Sequence, residues 1–103
     1  MKPWSIIVQA KRSHFRQMKS HATHKYWVLY RQLPLEIRQA ALKQYRLWLK
    51  DPRHPSIQFK KTGSVWSARI TADYRALGIM EDHTVIWFWI GNHHAYDRLL
   101  KGG

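Results

Sequence analysis

The chain has 103 residues, of which 45% are hydrophobic, and its 18 lysines and arginines against 6 acidic residues give a formal charge of +12. This length supports one domain with a single core, and the absence of cysteine excludes disulfides, a thiol nucleophile and a thiolate metal site. No apolar run approaches the roughly 20 residues that span a bilayer, so we predict a cytoplasmic protein without a membrane partner. The charge is typical of a protein that binds polyanions or an acidic protein; the alternative is a basic surface that serves only solubility.

The N-terminal segment is rich in basic side chains and has no extended periodic pattern. We predict that residues 1–22 form a basic leader, which is either disordered or contributes a short edge strand. The periodic pattern starts at Thr23, so residues 23–101 are predicted to form the folded domain. The spacing of His21 and His24 resembles that of metal ligands, but no carboxylate lies near them, and neither a metal nor another cofactor is predicted.

Two helices separated by a proline are predicted next. Thr23 is a candidate N-cap of the first helix. Pro34 ends that helix and starts the second, because its missing N–H would be unpaired in the first helical turn anyway. In the second helix, predicted for residues 34–50, apolar side chains at i, i+4, i+8 and i+11 share one face: Ile37, Ala41, Tyr45 and Trp48. The short link between the helices predicts a helical hairpin.

Four short strands are predicted after the helices, at residues 57–60, 65–71, 74–80 and 84–90. The last of these is apolar on both faces, which indicates a central strand. Links of hairpin length predict antiparallel pairing, and Asn92 is a candidate N-cap of a short C-terminal helix. The predicted fold class is therefore α+β, with a helical hairpin packed on one face of a small antiparallel sheet of three to four strands.

Arg69 and Arg75 lie inside otherwise apolar strands of one predicted hairpin. Removing a guanidinium group from water is costly unless it has a partner or faces an open site. If the two side chains converge on one face of the sheet, they can hold a phosphate or a carboxylate, which arginine binds in a bidentate manner. The alternative is that each extends to water at the rim of the sheet or pairs with Asp73 or Asp97.

A second candidate group follows the last strand, in the sequence GNHHAY that contains His93, His94 and Tyr96. RNA cleavage needs a base for the 2′-hydroxyl, an acid for the leaving 5′-oxygen and cations that stabilise the charge on phosphorus. Either histidine can transfer protons near neutral pH without a metal. The candidate cations and RNA contacts are Lys60, Lys61, Arg69, Arg75 and His54, of which Lys60 and His54 are also second choices as acid or base. The alternative is that the histidines only cap a helix and Tyr96 belongs to the core.

The order of these features resembles the RelE/ParE superfamily of bacterial type II toxins. The resemblance spans residues 26–100 and is carried by the helical hairpin, the break DPRHPS, and the segments VWSARITADYRALGI and VIWFWIGNHHAYDRLL. It implies a small antiparallel sheet with two helices on one face and a basic concave surface on the other. It also implies a metal-independent nuclease that cuts mRNA in the ribosomal A site, and an antitoxin partner that contributes an acidic or extended segment.

The resemblance assigns roles to individual residues. Arg75 matches the strand arginine that contacts the scissile phosphate, and Arg69 matches a basic residue on the preceding strand. His93 stands where the family has an arginine or histidine, and Tyr96 matches the nearby aromatic residue. Basic residues upstream in the family correspond loosely to Lys60 and Lys61. The family's first strand, ahead of the helical hairpin, is expected to be replaced here by the basic leader, and the carboxylate base of some members has no counterpart.

The sequence therefore predicts a type II toxin that acts as a ribosome-dependent, metal-independent mRNA endoribonuclease. Two other classes of function remain open. ParE-like members of the superfamily inhibit DNA gyrase by a protein contact and do no chemistry, and a catalytically silent basic module would only bind RNA or a partner. The histidine cluster favours the nuclease, because a pure inhibitor does not need proton-transfer groups.

Overall fold

The computed structural model of the protein describes residues 7–9 and 19–102, and side chains from 19 to 99. No helix in this part of the chain is long and apolar enough to cross a membrane. In chain order the elements are β1 (Ile7–Gln9), β2 (Lys19–Ala22), α1 (His24–Arg31), α2 (Leu35–Lys50), a 3-10 turn (Pro55–Ile57), β3 (Lys60–Thr62), β4 (Val65–Arg69), β5 (Tyr74–Glu81), β6 (Thr84–Asn92) and α3 (His93–Gly102).

The described strands form one six-stranded sheet in the order β1-β2-β6-β5-β4-β3. β6 lies between β2 and β5, which confirms its predicted central position. The predicted α+β class, with a helical hairpin on one face, is also confirmed. The sheet nevertheless has six strands where three to four were predicted, and it is mixed, because β2 and β6 run parallel while the other neighbours are antiparallel.

The two additional strands come from the segment that was predicted to be a basic leader. β2 has the sequence Lys-Ser-His-Ala, which is too short and too polar to show a strand pattern. Its backbone bonds to β6 position it: Lys19 N donates to the carbonyl of His83 at 2.8 Å, and Thr23 N donates to that of Trp87 at 3.0 Å. Strands ahead of the helical hairpin are therefore present, and β1 lies at the edge of the sheet, which is one of the two alternatives that the sequence left open for this segment. The rest of the predicted leader, residues 1–6 and 10–18, lies outside the described residues.

The strand predicted at residues 57–60 is wrong in position. Ile57 ends a 3-10 turn and is 1% exposed, because this turn inserts the side chain into the core. Gln58 follows with a left-handed backbone, at φ 49°, so the chain does not become extended until Lys60. Ile57 and Phe59 alternate with polar residues in the sequence as they would in a strand, but Ile57 belongs to the 3-10 turn.

α1 and α2 pack on one face of the sheet, which we call the helical face. Trp48 of α2 meets Trp87 of β6 edge to face, with ring centroids 5.6 Å apart. Below them, Ala68 and Ala76 are cross-strand partners, and their small side chains leave room for the large rings. Burying a large apolar side chain such as that of Trp48 or Trp87 stabilises the folded state by up to about 3 kcal/mol. The core of this face consists of Ala41, Trp48, Ile57, Ala68, Ala76, Val85, Trp87 and Ile90.

A bulge in β6 sends two tryptophans to opposite faces of the sheet. Gly78 of β5 pairs with Trp87, but Leu77, the preceding residue, pairs with Trp89. Phe88 is therefore the extra residue of the bulge. Trp87 packs on the helical face, whereas Trp89 packs with Leu77 on the other. Strict alternation would place both tryptophans on one face.

Two partly buried tyrosines, Tyr26 and Tyr45, make the stability of the fold sensitive to alkaline pH. Burial raises the pKa of Tyr26 far above the ordinary value of a tyrosine, and burial also raises the pKa of Tyr45, against the effect of its hydrogen bond with Ser20. Since the folded state keeps these phenols neutral, the unfolded chain loses their protons first. Their contribution to the free energy of unfolding is thus constant below about pH 10 and falls above it; for Tyr26, whose pKa is raised furthest, the fall is about 1.4 kcal/mol per pH unit until the folded state also loses the proton.

We expect Tyr26→Phe to remove the part of this alkaline decrease in the free energy of unfolding that Tyr26 causes. Urea denaturation at several pH values on either side of about pH 10 measures the slope. The variant should lose stability less steeply than the wild type in the alkaline range, while both show the same trend at neutral pH. Equal slopes above pH 10 would contradict the burial of this phenol.

Candidate functional site

The sheet face opposite α1 and α2 carries a row of basic side chains. We call it the basic face and define it by Lys60, Arg69 and Arg75. Arg69 and Arg75 are direct cross-strand partners, so their side chains leave the sheet on the same side, with Cβ atoms about 4.5–5.5 Å apart. Lys60 pairs with Ser67, which lies two residues before Arg69 on β4, so Lys60 is on this face as well. The two arginines therefore lie on one face of the sheet, which is one of the two alternatives that the sequence left open.

The two lysines of β3 lie on different faces. Lys61 pairs with Trp66, whose neighbours along β4 alternate with it, so Lys61 lies on the helical face. Both lysines are exposed. The sequence predicted both as RNA contacts, but the structure brings only Lys60 to the same face as Arg69.

Arg69 and Arg75 form no ion pair with any residue between 19 and 99, the range in which side chains are described. The guanidinium carbon of Arg75 lies 5.7 Å from the ring centroid of Tyr96, and its Nη1 is buried without a hydrogen-bond partner among the described residues. Like charges directly opposite each other destabilise a sheet, and an unsatisfied buried donor costs about 1–3 kcal/mol or more. An anion bound between the two guanidinium groups would therefore offset both of these costs.

Local sequence places the start of α3 at the end of β6. Asn92 Oδ1 accepts a hydrogen bond from Ala95 N at 2.9 Å, which confirms the predicted N-cap. His93 N donates to the carbonyl of Asp73, and this bond ties the helix to the connection between β4 and β5. The first turn of α3 is thus held beside the strand end that carries Arg75.

Gly91 keeps the space beside Arg75 free, since the two residues are cross-strand partners. A Cβ at Gly91 would lie 2.6 Å from the indole of Trp89, so the glycine allows this ring to lie across the strand. Trp89 and Leu77 form an apolar layer with Tyr96, which is 8% exposed. Tyr96 is therefore a core residue and, through its ring face, also a contact of the candidate site.

The adjacent residues His93 and His94 have different surroundings. The His93 ring stacks on Tyr96, with centroids 5.9 Å apart and planes at 21°. His93 Nε2 lies 3.4 Å from Asp97 Oδ2, while its Nδ1 is buried and has no partner in the part of the chain that the structure describes. His94 is exposed and has no polar or ring contact within the described residues, because consecutive helical residues point about 100° apart. The structure thus brings His93, and not His94, to the ring that Arg75 also contacts.

Asp97 is a candidate residue that the sequence analysis missed as the partner of His93. The i, i+4 spacing on one helix brings such side chains together, so the signal was readable once α3 was predicted. A carboxylate beside one imidazole nitrogen orients the ring and fixes which nitrogen carries the proton. In the described part of the chain, no group of three or more potential ligands is arranged to hold a metal ion.

His54 and Gln44 support the connection between α2 and the sheet. His54 Nδ1 accepts a hydrogen bond from Ser56 N at 3.2 Å and lies 3.0 Å from Ser56 Oγ, so it caps its own turn. The structure does not bring His54 into contact with Arg69. Gln44 Nε2 donates to the carbonyl of Arg69 at 3.0 Å and so holds the end of β4 from the helical face.

No protein-family model and no curated protein sequence matches this chain, but solved structures do. A chain of the toxin–antitoxin complex RelBE2 from Mycobacterium tuberculosis is 19% identical with a TM-score of 0.56, over 72% of this chain and 95% of that chain. A chain of the archaeal RelE–RelB complex from Pyrococcus horikoshii is 17% identical with a TM-score of 0.53, over 71% and 91% of the two chains. The predicted RelE-like fold is thereby confirmed.

Proposed function

We propose that this protein is a cytoplasmic toxin of a type II toxin–antitoxin system that cleaves mRNA on the ribosome without a metal ion. The observation that carries the proposal is the pair Arg69 and Arg75, which has no acidic partner among the described side chains; Arg75 also contacts the Tyr96 ring, on which His93 stacks. The RelE-like fold supports it, since the two similar structures named above are toxin–antitoxin complexes. An antitoxin with an acidic or extended segment would complement the charge of +12.

In this proposal the two arginines bind the scissile phosphate. As the 2′-oxygen attacks, negative charge increases on the non-bridging oxygens, and fixed guanidinium groups stabilise that charge more than the charge of the ground state. Arg75 is the stronger candidate because its guanidinium lies over the ring of Tyr96, on which His93 also stacks. The Gln44 bond to the Arg69 carbonyl connects the end of the neighbouring strand to α2.

His93 is the proposed acid or base, and Asp97 is its positioning residue. With Nε2–H directed at Asp97, Nδ1 is the nitrogen that exchanges a proton with the RNA. Because Nδ1 is shielded in the free protein, bound RNA has to displace the atoms that cover it. The 2′-oxygen loses its proton and bonds to phosphorus, the bond to the 5′-oxygen breaks, and that oxygen takes up a proton. The products are a 2′,3′-cyclic phosphate and a 5′-hydroxyl end.

Primer extension on an mRNA that is being translated in a cell-free extract tests the proposal. We expect cuts at codon-spaced positions that require ribosomes and persist in the presence of a chelator. Cuts that also form on free RNA would contradict the ribosome dependence. Absence of cuts, together with inhibition of DNA gyrase supercoiling in a parallel assay, would replace the nuclease by the gyrase inhibitor. Salt-dependent RNA binding with neither activity would select the silent module.

The two lysines of β3 provide a matched pair for testing the basic face. In a background that does not cleave, Lys60→Ala should weaken binding of single-stranded RNA and reduce the slope of log affinity against log salt by about 0.7, since one phosphate contact is lost. Lys61→Ala should leave the slope unchanged, because its side chain lies on the helical face. Fluorescence anisotropy titrations at several salt concentrations measure both. Equal effects of the two substitutions would show that RNA does not distinguish the faces.

A further inference from the structure

The helical face contains a cavity that the proposed function does not use. It lies between α1, α2 and the sheet and has a volume of about 160 Å³. Ala68 and Ala76 form part of its floor, so the neighbouring Arg69 and Arg75 project to the opposite side of the sheet. Leu42, which also lines the cavity, is 41% exposed. The cavity therefore reaches the surface beside α2.

The lining of this cavity is uncharged and largely aromatic. None of the described residues that line it is an acid, a lysine or an arginine, and six of them are aromatic: Tyr26, Trp27, Tyr30, Tyr45, Trp48 and Trp87. A charged ligand would lose its hydration here without gaining a partner. An apolar cavity of about 150 Å³ is large enough for benzene. Size and lining thus fit a ligand with a single aromatic ring.

Three tryptophans of the lining have an indole N–H that is buried and has no acceptor among the described residues: Trp27, Trp48 and Trp87. Trp48 is 1% exposed and Trp87 is 5% exposed, so bulk water does not reach these two rings freely. An indole N–H can only donate, and the great majority of buried N–H groups in folded proteins are paired. An acceptor atom on a bound molecule would supply the missing partner.

We propose that this cavity is a binding site for a small, uncharged aromatic molecule that carries a hydrogen-bond acceptor. The aromatic ring would occupy the apolar volume beneath α2, and the acceptor, such as a carbonyl oxygen, would receive one or more of the three indole N–H groups. The site lies on the opposite face of the sheet from the basic face, so it is separate from the proposed RNA site.

Acetophenone is a suitable probe, because isopropylbenzene has nearly the same shape without the carbonyl. The indole N–H resonances of the ¹⁵N-labelled protein, assigned with single tryptophan-to-phenylalanine variants, report binding. We expect the resonances of Trp27, Trp48 and Trp87 to shift saturably with acetophenone, while those of Trp66 and Trp89 stay in place. Isopropylbenzene should bind about fivefold more weakly, as expected for the loss of one hydrogen bond.

Two alanines of α2 provide a matched control. Ala41 lines the cavity and is buried, so Ala41→Leu should fill it and abolish the shifts without lowering the melting temperature, whereas Ala40→Leu, outside the lining, should retain them. If Ala41→Leu does not fold, Leu42→Trp fills the cavity from its exposed end instead, since Leu42 lines the cavity and is 41% exposed. No saturable shift in the wild type, shifts that persist in the filled variants, or equal affinity for the two probes would each overturn the proposal.

Discussion

Arg75→Ala is expected to lower the rate of mRNA cleavage by about 10²–10³-fold, the loss seen when one fixed group that stabilises the transition state is removed. Arg75 is well placed for this role because its guanidinium lies over the Tyr96 ring and has a buried N–H without a partner among the described residues. The free energy of unfolding should change by only about 1 kcal/mol, since none of the described side chains forms an ion pair with Arg75 and a cation–ring contact contributes about that much. Single-turnover primer extension and urea denaturation measure the two effects.

Arg75→Lys and Lys61→Ala are the controls for this prediction. Lysine keeps the positive charge but cannot bind a phosphate in the bidentate manner of arginine, so Arg75→Lys should retain only part of the activity. Lys61→Ala removes one positive charge from the helical face and should cleave as the wild type does. Cleavage at the normal rate by Arg75→Ala would exclude this residue as the phosphate contact, whatever its effect on stability.

His93→Ala is expected to lower the cleavage rate by about 10²–10⁴-fold, the usual contribution of a positioned acid or base. The matched control is His94, because it is also a histidine and directly follows His93 in the chain. Since its side chain is exposed and has no polar or ring contact with the described residues, His94→Ala should cleave at nearly the wild-type rate. Single-turnover rates of the two variants on the same translated mRNA decide between the histidines, which the sequence left equivalent.

Asp97→Asn tests whether the carboxylate acts through His93. The amide can still accept a hydrogen bond from the imidazole but carries no charge, so we expect a smaller loss of rate together with an altered pH dependence near neutrality. In the His93→Ala background the same substitution should have little further effect, because the two residues act as one unit. Full activity of His93→Ala would move the acid or base elsewhere, with His54 and Lys60 as the next candidates.

Sequence by itself determined the features whose causes are local. Thr23 and Asn92 cap their helices as predicted, because a cap depends only on residues within one turn. The convergence of Arg69 and Arg75 was also within reach, since a short hairpin link restricts the register of its two strands and side chains alternate along each strand. The α+β class and the helical hairpin on one face followed from the same local periodicities.

Only the tertiary structure decided the features whose causes are distant in the chain. β2 is a strand because β6, some 60 residues later, supplies its hydrogen bonds. The bulge at Phe88 places Trp87 and Trp89 on different faces, and the register of β3 decides that Lys60, and not Lys61, lies on the basic face. A shift of one residue would reverse the face on which each side chain lies. The difference between His93 and His94 likewise depends on where Tyr96 and Arg75 lie in space. Pattern along the chain carries no information about these contacts, because their energies come from partners that only folding brings together.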